Sequence, residues 1–194
     1  MPSVLRNPKT AWAEIDRLSA DSQTLRDNWC LPPQAAKMVY LLTKLSGARR
    51  VLEVGTSIGY STLHLALGIS EIAGQVTCID ASSERMSIAK KHFETAGLKD
   101  FITPVVSEAI PALENLNKQG AAFDLAFLDA QKAEYLAYLR LIEPMMSPGG
   151  LLIADNTQSH RSEMQPFVTE ILNSPVWEAC DVETPNGFIL ARKR

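Results

Sequence analysis

From Val51 onward the chain alternates short apolar runs with helical stretches, and this rhythm constrains its fold more than any other feature. The runs are Val51–Val54, Val76–Ile79, Ile102–Val106, Leu125–Leu128 and Leu151–Ala154. Helical stretches near Ser61–Gly68, Ser83–Ala96, Glu108–Gln119 and Ala133–Glu143 lie between them. Strands that are apolar throughout, rather than at every second residue, are buried on both faces. The pattern therefore predicts an α/β protein with a mostly parallel sheet covered by helices on each side. The tail departs from the rhythm. After a helix near Ser162–Asn173 come Trp177–Glu183 and Phe188–Ala191, joined by Pro185-Asn186-Gly187, a hairpin signal that predicts an antiparallel end to the sheet. Ahead of the alternation, Trp12, Ile15, Leu18 and Leu25 recur at helical spacing until Leu31-Pro32-Pro33 interrupts them. A further helix runs from about Gln34 to Leu45 and closes on Ser46-Gly47. The expectation is one domain over 1–194, with N-terminal helices in 1–47 and the α/β core in 48–194.

Composition narrows the function classes. With 194 residues, 46% hydrophobic and 21% charged, the chain can bury a core without disulfides. Its 19 Lys and Arg against 22 Asp and Glu leave a net charge of −3, which argues against nucleic acid as a partner because sequence-independent binding needs a cationic surface. Cys30, Cys78 and Cys180 are far apart and form no CxxC pair, predicting a reducing, cytoplasmic setting without a zinc site. No apolar run is long enough to span a membrane, and Arg6, Lys9, Glu14, Asp16 and Arg17 break up the first 20 residues, so neither a membrane span nor a signal peptide is expected.

In a parallel sheet of this kind, ligands bind beyond the carboxyl ends of the strands, where the strand order reverses. The residues at those ends are Glu53 to Ser61, Asp80, Ser107 to Ala109, Asp129 to Lys132, and Asp155-Asn156. Four of the five carry acids without a sequence-adjacent Arg. Glu53-Val54-Gly55-Thr56-Ser57-Ile58-Gly59-Tyr60-Ser61 reads as strand, glycine turn and helix start, and its glycines admit close backbone approach to a ligand. Its spacing is G-x-x-x-G, not the G-x-G-x-x-G of a dinucleotide fold. Asp80 stands where an acid can accept both hydroxyls of a ribose, although a solvated Asp behind a glycine turn is the plainer reading. Asp129, Asp155 and Asn156 offer an all-oxygen set suited to a hard divalent cation. Taken singly, Asp129 could equally cap a helix and Asp155-Asn156 form a turn. Lys132, beside that set, is a candidate general base, or else a surface lysine. His64, His92 and His160 share no metal-ligand spacing, and Ser61 is not in G-x-S-x-G.

These stretches, with Pro148-Gly149-Gly150, resemble the metal-dependent class I O-methyltransferases of the catechol and caffeoyl-CoA group, from Gln34 to the end of the chain. The resemblance implies a Rossmann-like fold with a seven-stranded, mostly parallel sheet and a C-terminal antiparallel hairpin. It implies S-adenosylmethionine as cofactor and a divalent cation, Mg²⁺ first with Mn²⁺ or Ca²⁺ as alternatives. By the same resemblance, Glu53, Gly55, Ser57 and Ser61, with Leu31 from the preceding loop, would line the methionine end of the cofactor. Asp80 would hold its ribose, and Glu108 and Ala109 would border the adenine. Asp129, Asp155 and Asn156 match the metal ligands, with Asp129 also reaching the cofactor's amino group, and Lys132 matches the catalytic base. A small molecule with vicinal hydroxyls would be the substrate, and a homodimer the assembly.

The chain departs from the family after Asp155-Asn156, where Thr157-Gln158-Ser159-His160-Arg161 replaces an apolar pair and a glycine, and at Ser107-Glu108-Ala109, which lacks a leading glycine. His160 or Arg161 could face a substrate carboxylate, or belong to a solvated loop. Methylation of a hydroxylated uridine in tRNA and a non-catalytic S-adenosylmethionine-binding module are the alternative readings.

Overall fold

The computed structural model describes residues 4, 5 and 7–194. Met1 to Ser3 and Arg6, which the domain and leader readings include, lie outside the described residues. Seven strands form one sheet: β1 (Arg50–Val54), β2 (Gln75–Asp80), β3 (Ile102–Val106), β4 (Phe123–Leu128), β5 (Met146–Asp155), β6 (Trp177–Val182) and β7 (Phe188–Lys193). Their order is β3-β2-β1-β4-β5-β7-β6. The first five pair in parallel, while β7 runs antiparallel to both β5 and β6. The hairpin thus inserts its second strand between β5 and its own first strand. Order reverses between β1 and β4, and the site lies at that crevice.

The eight helices among the described residues are α1 (Lys9–Ala20), α2 (Ser22–Asp27), α3 (Pro33–Ser46), α4 (Tyr60–Ile69), α5 (Ser83–Thr95), α6 (Ala109–Lys118), α7 (Tyr135–Ile142) and α8 (Arg161–Asn173). The N-terminal periodicity, continuous in sequence, is split at Asp21. Its carboxylate accepts from the Thr24 amide at 2.9 Å and from the Thr24 hydroxyl, so a new helix starts where a cap is available. Helix α3 opens with proline at its first position and closes on Gly47 at φ +67°. All ten residues of α4 are buried, because α1 and α3 cover the side turned away from the sheet. An amphipathic helix would be mismatched there, and Leu63, Leu65, Leu67 and Ile69 meet apolar neighbours on every side. The stretch after Asp129 begins as a 3₁₀ turn at Lys132–Glu134 before α7. The Tyr135 hydroxyl sits there between the Leu128 carbonyl (3.1 Å) and the Ala130 amide (3.3 Å).

Side chains of the parallel strands alternate between two cores. Val51, Leu125, Phe127 and Ile153 face α3, α4 and α5, and Leu52, Val54, Ala126, Leu128 and Leu152 face α6, α7 and α8. The hairpin is anchored by Lys193, whose Nζ donates to the carbonyls of Glu143 (2.6 Å) and Met146 (2.9 Å), and by Trp177, whose Nε1 donates to Glu143 at 2.8 Å. No helix among the described residues is long and apolar enough to cross a membrane.

Candidate active site at the sheet crevice

The carboxyl ends of β1, β2, β4 and β5, with the loop before α3, enclose a cleft of about 630 Å³. Its β1 wall is shaped by Gly55. There the backbone turns at φ +95°, and a Cβ would collide with the Asp129 carbonyl. The strand ends can approach this closely because Asp129 N donates to Val54 O at 2.9 Å and Gly55 N to Ile79 O at 3.0 Å. At Gly59, φ +87°, a Cβ would stand 2.5 Å from the Phe93 ring, so the turn into α4 also requires glycine.

Asp80 organises this turn. Its Oδ2 accepts the amides of Thr56 (3.1 Å) and Ser57 (2.7 Å), and its Oδ1 accepts Ser82 N at 2.9 Å. Asp80 nonetheless faces the cleft, as do Leu31, Gly55, Ser57, Ser61, Glu108, Ala109, Asp129, Lys132 and Asn156. Glu53 and Asp155 do not. Glu53 lies beneath the floor, fully buried, accepting from Ser61 Oγ at 2.6 Å, Thr56 Oγ1 at 3.3 Å and Thr62 Oγ1. Burial pushes its carboxyl up to about 7 against the pull of those three hydroxyls. Glu53 therefore supports Ser61 from below instead of forming the wall.

At the opposite end, β4 and β5 bring three oxygen-bearing side chains and one lysine together. Lys132 Nζ donates to Asp129 Oδ1 at 2.9 Å, with both side chains about six-sevenths buried (15% and 14% exposed). Burial raises the Asp129 carboxyl, and the Lys132 charge pulls it back. Asp155 is raised by burial and then by the charge of Asp129. Its Oδ2 accepts from the Asn156 side-chain amide, and its buried Oδ1 has no hydrogen-bond partner. Asn156 is held at φ +74°, its backbone N–H donating to Gly187 O at 3.0 Å, so the C-terminal hairpin sets this corner. No group of three or more His, Cys, Asp or Glu gathers among the described residues. The corner has two carboxylates and an amide.

Of the two residues considered for substrate, His160 lines the cleft near Asp129, while Arg161 turns away to Gln158 (2.8 Å) and Asp181 (3.6 Å). The strap Asn28-Trp29-Cys30, Arg85, Tyr138 and Glu163 also line the cleft. Those residues come from segments far apart in sequence, and no local spacing marks them. The helix break at Leu31-Pro32-Pro33 is the one nearby signal.

A seven-stranded sheet of this order, with an acidic, glycine-turned crevice at its switch point, defines the class I methyltransferase architecture. The O-methyltransferase family matches residues 10–172, and the chain belongs to it. It is similar to a caffeoyl-CoA O-methyltransferase of Populus kitakamiensis (37% identity over 129 residues, 66% of this chain and 54% of the relative). It is also similar to a catechol O-methyltransferase of Niastella koreensis (33% over 125 residues, 64% and 56%). The chain thus spans just over half the length of these curated relatives. The solved O-methyltransferase from Bacillus cereus in complex with SAH superposes with a TM-score of 0.84, at 28% identity, over 98% of this chain and 94% of that one.

Proposed function

We propose that this protein is an S-adenosylmethionine- and divalent-cation-dependent O-methyltransferase acting on a small molecule with vicinal hydroxyls. One observation carries the reading: Asp129, Lys132 and Asn156 line one end of a cleft whose other end is the glycine turn and Asp80, with the Asp155 carboxylate buried just behind Asn156. The donor set fits a hard cation. Two carboxylates balance a dication, the amide adds a neutral oxygen, and the partnerless Oδ1 of buried Asp155 is an acceptor awaiting a positive charge. When bound, the cation supplies acidification of a substrate hydroxyl, and S-adenosylmethionine supplies the methyl group. The chain's own residues do the rest. Gly55 and Ser57 present backbone, and Ser61 a hydroxyl, to the methionine end. Asp80 keeps lone pairs for ribose hydroxyls, and Glu108 and Ala109 border the base. Lys132 Nζ, placed beside Asp129, would take up the hydroxyl proton as the neutral amine, becoming the ammonium that Asp129 pairs with. Holding both reactants in line within one cleft contributes the remaining advantage through proximity.

A tRNA acceptor finds less support. Of the basic tail, Lys193 is tied to two carbonyls, while Arg192 and Arg194, more than half exposed, each lie 3.8 Å from Glu178. The test is methyl transfer from labelled S-adenosylmethionine to a panel of catechols, with Mg²⁺ or with EDTA. Transfer abolished by EDTA supports the reading, and transfer unaffected by EDTA removes the cation from it. Absence of transfer by a protein that binds S-adenosylmethionine redirects the search to hydroxylated tRNA.

A further inference from the structure

Helix α2 ends in a Schellman motif. Cys30 N donates to Leu25 O at 2.9 Å and Trp29 N to Arg26 O at 3.1 Å, which places Trp29 at the position where glycine is favoured. Trp29 accordingly sits at φ +50°, in the left-handed region that bulky residues avoid. Core packing does not account for the choice, because the side chain is 70% exposed. The large, strained, exposed aromatic instead stands on the rim of the cleft. Across the opening, the Arg85 guanidinium lies over its ring, 4.4 Å from the centroid. Arg85 projects from α5, just beyond Asp80, and no carboxylate lies within salt-bridge distance of it among the described residues. The strap is fastened from below as well, since Ser57 Oγ donates to Asn28 O at 2.7 Å. Two fastenings therefore join the strap to the side of the cleft formed by the glycine turn and the β2 end. Backbone strain at a ligand-lining residue, with no compensating burial, points to a role in the bound state.

We infer that Trp29 and Arg85 form a clasp across the nucleoside end of the cleft that slows release of the bound cofactor. The inference rests on the cofactor assignment made above. Opening requires the cation–π contact to part and the strap to swing from α5, while the Ser57 bond holds its base. The pair acts on retention, and the reacting atoms lie at the Lys132 end.

The test uses radiolabelled SAH, its affinity read by calorimetry and its release rate by chase with unlabelled SAH and rapid filtration, on the wild type and on Trp29→Gly, Trp29→Phe and Arg85→Met. Trp29→Gly is the decisive variant, because glycine relieves the left-handed strain. Its melting temperature should hold or rise while SAH release accelerates about tenfold, and Arg85→Met should accelerate release about 2- to 5-fold. Trp12 is half-buried and Trp177 buried, so most of the fluorescence response to SAH should vanish in Trp29→Phe. Wild-type release rates in both Trp29→Gly and Arg85→Met would overturn the clasp. So would a lower melting temperature for Trp29→Gly with unchanged release, which would make Trp29 structural. A wild type that fails to bind SAH at all would instead overturn the cofactor assignment.

Discussion

Lys132 illustrates how little of a residue's chemistry belongs to the residue. A lysine on a 3₁₀ turn is ordinarily solvated, and this one is mostly buried against Asp129 because the Tyr135 hydroxyl pins the turn onto the end of β4. Lys132→Ala should leave SAH affinity within about twofold and lower kcat by about 10²-fold or more, because only the proton acceptor is removed. Steady-state kinetics beside calorimetry would check this, and an unchanged kcat would remove Lys132 from the mechanism. Gly55 shows the converse case, a residue that matters through what it lacks. A methyl group there would drive β1 off the Asp129 carbonyl and separate the two halves of the cleft.

Among the elements, the junction of β1, β4 and β5 is held by one carboxylate. Asp124 accepts the amides of Arg49 (3.1 Å) and Arg50 (3.0 Å), the Arg50 guanidinium (2.7 Å) and the Ser147 hydroxyl (3.0 Å). Partial burial alone would raise its carboxyl, but these donors outweigh burial and hold it at about 2. A depressed acid stabilises the fold above its unfolded value of 3.8 and loses that contribution as pH falls through about 2. Asp124→Asn should therefore lower the melting temperature at neutral pH by about 2–4 °C, equivalent to about 1 kcal/mol at this chain length. Thermal melts down a pH series should show the gap closing between 3.8 and 2. A gap that stayed constant would assign the tie to shape instead of charge. The C-terminal hairpin has a comparable reach, since Gly187 O receives the Asn156 amide and so fixes one corner of the proposed cation site. A Cβ on Gly187 would come within 2.5 Å of Thr157 and Gln158.

At the scale of the whole molecule, the two ends of the cleft should bind independently. Ligands that bind only the folded chain raise its stability by mass action, about 2.7 kcal/mol at a hundredfold excess over Kd. Asp155→Asn should abolish the Mg²⁺-dependent rise in Tm while keeping the SAH-dependent rise. Loss of both, or of neither, in a folded variant would refute the division. The strands, the hairpin, the glycine turn and the acids at the strand ends are legible along the chain, because period and turn chemistry are local properties. The helical stretch near Ser61–Gly68 carries no signal of what covers it. Only the N-terminal helices packed over it explain why it is buried all round. Spacing equally placed Glu53 with Ser61 and Asp155 with Asn156, and only the tertiary structure sent both carboxylates beneath the surface, one to three hydroxyls and the other to a corner with an unmet acceptor. The strap at Trp29 and its partner Arg85 were invisible to any local pattern. Their meeting depends on how α2 and α5 pack at opposite lips of the cleft, a relation between distant segments that no spacing along the chain encodes.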